Sequence, residues 1–270
     1  DVAFKLYDTY GFPVDLTADA LRTKGLEVDM KGFEDAMEKQ KETARKSWAG
    51  SGDAGTAKLW FELLDKVGAT EFLGYHDVSA EGKVLAIVKD GKEVSTLSNG
   101  EEGLVIVNQT PFYAESGGQV GDTGIMMTSQ GDAFAVSDTK KQVGKLWVHV
   151  GKVTKGKLSV GEGVELRVDT VRRHEIEAHH SVTHLLHEAL RLTLGDHIAQ
   201  KGSLQTEDRT RFDVSQPNQI TAEQLRKIED QVNEQIRANT EVVTRVLPLD
   251  EAIQSGARAL FGEKYDDEVR

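Results

Sequence analysis

The feature that most constrains this chain is a change of period. Apolar residues recur at helical spacing up to about residue 75, alternate between about 76 and 170, and return to helical spacing from about 171 to 270. Alternation buries one face of a strand, whereas a 3.6-residue repeat buries one stripe of a helix, so the three stretches cannot share one type of element. In the middle stretch, residues 83–89 and 93–97 flank Asp90-Gly91, a hairpin signal. Residues 104–107, 124–127, 133–136, 145–150 and 164–168 are further short strands. Short strands joined by Gly-rich turns predict a small antiparallel barrel. The expected class is α+β, with a helical segment (1–75), a β-barrel (76–170) and an α+β core (171–270).

In the first segment, Val2, Phe4, Leu6 and Tyr7 lead into a turn at Gly11-Phe12-Pro13. A short helix starts at Thr17 and ends at Lys24-Gly25; a longer one spans 30–47 with a thin stripe of Phe33, Ala36, Met37 and Ala44. Gly50-Ser51-Gly52 and Gly55 read as a loop before a helix at 59–66. In the last segment a helix covers 175–194 and is capped by Gly195, and 210–214 is a strand. Thr221 and Gln224 form a capping box, and Leu225, Ile228, Val232 and Ile236 line the next helix as its core stripe. A strand at 242–247 ends at Pro248, and a short helix at 250–255 ends at Gly256.

Composition narrows the function. With 38% hydrophobic and 29% charged residues the chain is a packed, soluble protein, and no apolar run approaches the ~20 residues that span a bilayer. No cysteine means no disulfide, no thiol nucleophile and no Cys-containing metal site within these residues. The net charge is −12, and the three segments carry −4, −3 and −5, so none is a basic nucleic-acid coat and any RNA contact needs a local patch or pocket. The chain starts at Asp1 without a signal-peptide pattern and stops at Arg270 without a tail-like composition, which reads as a piece of a longer protein.

Histidine carries the chemistry. Six of the eight histidines lie between 174 and 197. His180 and His184 are four apart on a helix, hence on one face, where two imidazoles can reach one metal ion; the alternative is surface or phosphate-contacting histidines. His187 is a possible third neighbour, and Leu186, Ala189 and Leu190 mark the core side. A zinc-protease motif needs Glu after the first His, and Ser181 stands there.

Two other clusters stand out. Residues 109–124 hold Gly117, Gly118, Gly121 and Gly124 with Tyr113, Glu115, Ser116 and Gln119, either a backbone cradle for a ligand or a tight barrel corner. The order and the absence of a following helix disfavour a dinucleotide site. Gln200-Lys201-Gly202-Ser203 reads as a Gln before a Gly turn, followed by Arg211-Phe212-Asp213, which is ordinary strand patterning around an inward Phe212.

In this order the motifs resemble the alanyl-tRNA synthetase family. Asp8-Thr9-Tyr10-Gly11-Phe12-Pro13 is similar to the segment after its aminoacylation core, and Thr110 to Gln119 to the glycine motif of its editing barrel. His180-Ser181-Val182-Thr183-His184-Leu185-Leu186-His187, Gln200-Lys201-Gly202-Ser203 and Arg211-Phe212-Asp213 are similar to its editing core, and 259–265 to the stretch leading toward its remaining ligands. The resemblance implies an enzyme that charges alanine tRNA using ATP, and an editing core of the threonyl/alanyl-tRNA synthetase second-additional-domain type that hydrolyses seryl- and glycyl-tRNA.

It further implies zinc on His180 and His184, with a Cys and a His expected beyond Arg270. Thr183 and Gln200 are the implied catalytic residues, Thr183 touching the serine hydroxyl at the metal's edge and Gln200 orienting the ester carbonyl or a water. Gly117, Gly118, Gln119, Arg211 and Asp213 are the implied substrate or tRNA contacts, and His187 is not assigned as a ligand. ATP and Mg belong to a catalytic domain upstream of Asp1. The expected partner is the acceptor end of alanine tRNA, with no membrane and no DNA, in the cytoplasm. The stretch alone is expected to show little or no deacylase activity. Competing readings are a stand-alone editing deacylase, against which the segment 1–75 speaks, and a non-catalytic tRNA-docking module.

Overall fold

The computed structural model describes residues 53–257 and 267–270, together with 18, 21, 26 and 28–33. Residues 18, 21 and 30–33 are helical, and Phe33 is buried. The remainder of the two helices expected before residue 48, the turn at Gly11-Phe12-Pro13, the loop Gly50-Ser51-Gly52 and the motif at 259–265 lie outside the described residues. Those residues divide into two compact units: the residues up to Ala114 with Gly121–Val168, and Glu115–Val120 with the residues from Asp169 onward.

The first unit opens with helix α1 (Asp53–Val67), longer than the expected 59–66 and taking in Gly55, which the sequence placed in a loop. Strands follow in order: β1 (Glu71–Phe72), β2 (Ser79–Lys89), β3 (Lys92–Val94), β4 (Thr96–Ser98), β5 (Glu102–Val107), β6 (Gln109–Thr110), β7 (Gly124–Thr128), β8 (Ala133–Gln142), β9 (Leu146–Lys155), β10 (Lys157–Ser159) and β11 (Gly163–Val168). The main sheet runs β11-β7-β8-β9-β5-β2-β3, and β11 also pairs with β2, closing six antiparallel strands into a barrel. Closure leaves the six strands no open edge.

Local chemistry explains the hairpins. Asp90 (φ 51°) and Gly91 (φ 72°) are both left-handed, the tight two-residue turn whose twist matches the flanking strands. The strand expected at 93–97 is broken at Ser95 into β3, which stays on β2, and β4, which pairs with β10. Inside the barrel Phe112, Phe134, Met126 and Leu166 are fully buried. Trp60 and Leu63 of α1 cover a second cluster with Ala86, Val88, Ile106, Leu146 and Val148. Removing either buried phenylalanine would cost about 3–5 kcal/mol.

In the second unit α2 (Thr170–Leu194) is followed by β12 (Gln200–Gln205), β13 (Thr210–Val214), α3 (Ala222–Ala238), β14 (Leu247–Pro248), α4 (Leu249–Gln254) and β15 (Glu268–Val269). Helix α2 begins five residues before the expected 175, because the Asp169 carboxylate accepts from the Arg172 N–H and caps it. Ala189, Leu190, Ile198 and Ile228 form the core with Leu186, Phe212, Val214 and Val232 around it. The Thr221–Gln224 capping box is formed.

Three expectations fail here. The stripe on α3 is not continuous: Ile228 is buried, while Leu225 and Ile236 are about half exposed at 52% and 49%. The strand expected at 242–247 reduces to Leu247–Pro248, and Val242 is 90% exposed. Gln200 does not precede a Gly turn; it starts a strand with a β-bulge between Gln200 and Gly202. No helix among the described residues is long and apolar enough to cross a membrane.

Candidate functional site

The site is built on the first half of α2, the loop Glu115–Val120 and the hairpin β12–β13. Helical spacing brings His180 and His184 to one face, where their rings stack with centroids 5.3 Å apart and planes 19° from parallel. His180 is half-buried and His184 exposed. Burial, and next the neighbouring His184 ring, push the His180 imidazole below its usual pKa, which favours the neutral form that a metal needs. His180 Nδ1 lies 2.7 Å from Gln119 Oε1. His187 leaves the pair and packs on Phe212, with ring centroids 5.2 Å apart.

The hairpin sets the wall of the site. Opposed residues of an antiparallel pair point to the same face. Gln205 faces with Thr210 and Ser203 with Phe212, all on the side of α2, while Arg211 and Asp213 point to the other face and pair with each other at 3.1 Å. The bulge returns Gln200, opposite Val214, to the α2 side. From Gln205 to Gln200 the strand runs roughly 16 Å, so Gln200 sits at the far end of the wall from Gln119.

Thr183 is buried and its hydroxyl is fully used. It donates to the His179 carbonyl oxygen at 2.9 Å, lies 2.6 Å from the Thr210 hydroxyl, and accepts from Gln205 Nε2 at 3.3 Å. His179 Nδ1 donates to the Thr206 carbonyl at 2.7 Å, and Arg172 pairs with Glu207 at 3.1 Å. The arginine holds the Glu207 carboxyl below its ordinary pKa. Helix and hairpin turn are therefore tied at three points.

The glycine loop joins the same wall. Gln205 N–H donates to the Gly118 carbonyl at 2.8 Å, and Val120 N–H donates to the Gln205 carbonyl at 3.2 Å. Gly118 has φ +85°, and a Cβ there would overlap the Ser203 hydroxyl and lie 2.7 Å from the Ser203 carbonyl oxygen. Only glycine fits this approach.

The structure thus brings together Gly117, Gly118, Gln119, His180, His184 and Thr183, with Gln200 farther along the wall and Arg211 and Asp213 behind it. Sequence reasoning missed Gln205 and Thr210. A signal for Gln205 existed, since strand alternation places it on the same side as Ser203 and an inward glutamine is unusual. Gln205 is fully buried, and its Oε1 has no hydrogen-bond partner among the described residues. On the first unit a groove of about 560 Å³, lined by residues such as Lys89, Gly103, Ser137 and Lys152, includes no candidate site residue.

Among the described residues no group of three or more His, Asp or Glu side chains is placed to hold a metal. The donor set present is two imidazoles one helical turn apart, which fits half of a four-ligand zinc site.

The family model for tRNA synthetases class II (A) matches residues 1–172. Over all 270 residues the chain is 59% identical to the alanine–tRNA ligase of Bradyrhizobium diazoefficiens, 59% to that of Rhodopseudomonas palustris and 56% to that of Parvibaculum lavamentivorans. It spans 30% of the length of each of these relatives. His180 and His184 lie beyond the family-model match and within the stretch aligned to the relatives.

Proposed function

The chain belongs to the family of class II tRNA synthetases (A), and on that premise we propose that it forms part of an alanine–tRNA ligase and carries most of an editing site that hydrolyses alanine tRNA wrongly charged with serine or glycine. The observation that carries this reading is the stacked His180–His184 pair beside a walled, glycine-lined loop. The division of labour is a helical segment to about 75, a barrel to about 170 and an editing core beyond, with alanine activation by ATP and Mg assigned to the part of the ligase that this chain does not span. The protein works in the cytoplasm on the acceptor end of its tRNA.

His180 and His184 would hold zinc, with further ligands from the part of the relatives' length outside this chain. When bound, the ion polarises a water or anchors a reacting group. The chain's own residues do the rest. Gln200, exposed at the end of β12 and turned to the α2 side, orients the ester carbonyl without titrating. Thr183 spends its hydroxyl on His179, Thr210 and Gln205, so it sets the spacing of helix and wall one residue from His184. Gly117 and Gly118 let backbone approach the ribose end closely. Arg211 and Asp213, on the opposite face, contact tRNA outside the pocket. Polar walls suit the task, because hydrogen-bonding sites reject a substrate lacking the group far better than apolar ones.

The test is Gln200→Ala in the full-length ligase. Hydrolysis of seryl-tRNA is expected to fall on the order of 10²–10³-fold, the loss typical of removing one positioned neutral hydrogen-bonding group, while alanine charging is unchanged. Unchanged hydrolysis removes Gln200 from the site.

A further inference from the structure

Gln119 is 7% exposed, and its position is set by residues other than its own side chain. One strand residue, Gln205, takes the backbone on both sides of it: the Gly118 carbonyl accepts from Gln205 and the Val120 N–H donates to Gln205. Ser116 and Gln119 close the loop on themselves with two backbone bonds of 3.1 and 3.0 Å. Gly118, which no other residue can replace, is pressed against Ser203. A loop held at so many points delivers its carboxamide to one place.

That place is the ring of His180. Oε1 of a carboxamide can only accept a hydrogen bond, so the nitrogen 2.7 Å away must carry a proton. A neutral imidazole has one proton, so Nε2 keeps a bare lone pair. A ligating histidine needs this arrangement, with one nitrogen donating to a fixed acceptor and the other free for the cation. We propose that Gln119 is a positioning residue that fixes His180 as its Nδ1–H tautomer and leaves Nε2 as the nitrogen that binds a metal cation. Gln119 is then not a contact for substrate or tRNA, and the glycine loop serves the histidine helix. The metal limb of this inference rests on the function proposed above; the tautomer does not.

The measurement is a long-range ¹H–¹⁵N spectrum of the metal-free chain with ¹⁵N-labelled histidine, at a pH where the ring is neutral. Wild type is expected to show His180 protonated at Nδ1, and His180 protonated at Nε2 overturns the proposal before any variant is made. Gln119→Leu, similar in volume and without an acceptor, is expected to move the proton mainly to Nε2. Gln119→Glu keeps an acceptor oxygen and is expected to leave it on Nδ1. Amide exchange at Val120 and Gln205 reads the loop's backbone pairing separately, so a proton shift with exchange unchanged belongs to the carboxamide. If the Leu variant loosens the loop, Gln119→Glu decides: an Nε2 proton there overturns the proposal. Zinc affinity, read by competition with a chromogenic chelator, is expected to fall roughly 10–100-fold in Gln119→Leu and to recover in Gln119→Glu. Equal affinity in wild type and Gln119→Leu overturns the metal limb. An Nδ1 proton in the chain together with a full-length ligase that binds no zinc upholds the tautomer and counts against the zinc reading instead.

Discussion

The Thr110 hydroxyl lies 2.8 Å from His149 Nε2 inside the barrel unit, and the opposite ring nitrogen lies 3.0 Å from the Val105 carbonyl. A carbonyl only accepts, so Nδ1 carries the proton and Nε2 accepts from Thr110, whose oxygen in turn accepts from the Phe112 N–H at 3.1 Å. The ring is fully buried and neutral, and burial pushes its pKa down to about 4, against a small opposing effect of the Val105 bond. In the unfolded chain the ring takes a proton below about 6.5. The folded chain refuses that proton until about pH 4. Stability is thus complete above 6.5 and is lost as pH falls from there to about 4, by about 3 kcal/mol in all. Urea unfolding of the chain at a series of pH values reads this directly. In His149→Gln, which cannot titrate, the loss across the same window is expected to shrink by about that amount; parallel losses in both proteins would sink the assignment.

Gly117 and Gly118 separate two reasons for a glycine. Both are left-handed, at φ +61° and +85°, but nothing lies within 4 Å of a Cβ at Gly117, whereas one at Gly118 meets Ser203. Gly117→Ala is expected to cost about 1 kcal/mol of backbone strain. Gly118→Ala adds a clash with strand backbone, and is expected to cost about 2–4 kcal/mol and to release the bonds at Val120 and Gln205. Amide exchange at those two positions checks it, and equal protection in the two variants contradicts the packing argument.

The reach of the sequence follows the distance over which each feature is decided. Asp90-Gly91 names its own turn because both residues accept left-handed backbone, and Thr221–Gln224 names its own cap. The turn between β8 and β9 hides, because it places Val143 at φ 45°, a conformation that a β-branched residue disfavours and that the Trp60–Leu63 cluster outweighs. Barrel closure depends on Ser79–Lys83 meeting Gly163–Arg167, which no local pattern states. The exposed Leu225 and Ile236 show that apolar spacing marks a possible core face without saying how much of it a neighbour covers. The site divides the same way. His180 and His184 are legible from helical period alone, while Gln205 becomes meaningful only when residues 118–120 fold back onto it.

Thr183 is expected to matter to stability before it matters to chemistry. Thr183→Val keeps the shape and removes the hydroxyl, leaving the buried Gln205 Nε2 and the Thr210 hydroxyl without their partner. Because Gln205 Oε1 already has no partner among the described residues, the amide would then be buried with neither end bonded to them. The expected cost is about 2–3 kcal/mol, and Thr183→Ser, which keeps the hydroxyl, should lose about 1 kcal/mol for the methyl. Equilibrium denaturation ranks the two; a Val variant as stable as wild type would show that the network contributes nothing.

His184 and His187 lie on the same helix three residues apart, yet the structure gives them different work. His184 stacks on His180 and makes no hydrogen bond with the described residues, while His187 packs on Phe212 beside the core of the second unit. Zinc affinity of the chain is therefore expected to respond to one and not the other. His184→Ala removes one of the two proposed ligands and should weaken binding beyond the roughly 10–100-fold that loss of an outer partner costs. His187→Ala should leave affinity within about twofold while lowering unfolding stability by about 1 kcal/mol through lost ring packing. Chelator competition and urea unfolding on the same two variants give both readouts. If His187→Ala weakens zinc as strongly as His184→Ala, the ligand pair has been drawn one turn too early on the helix.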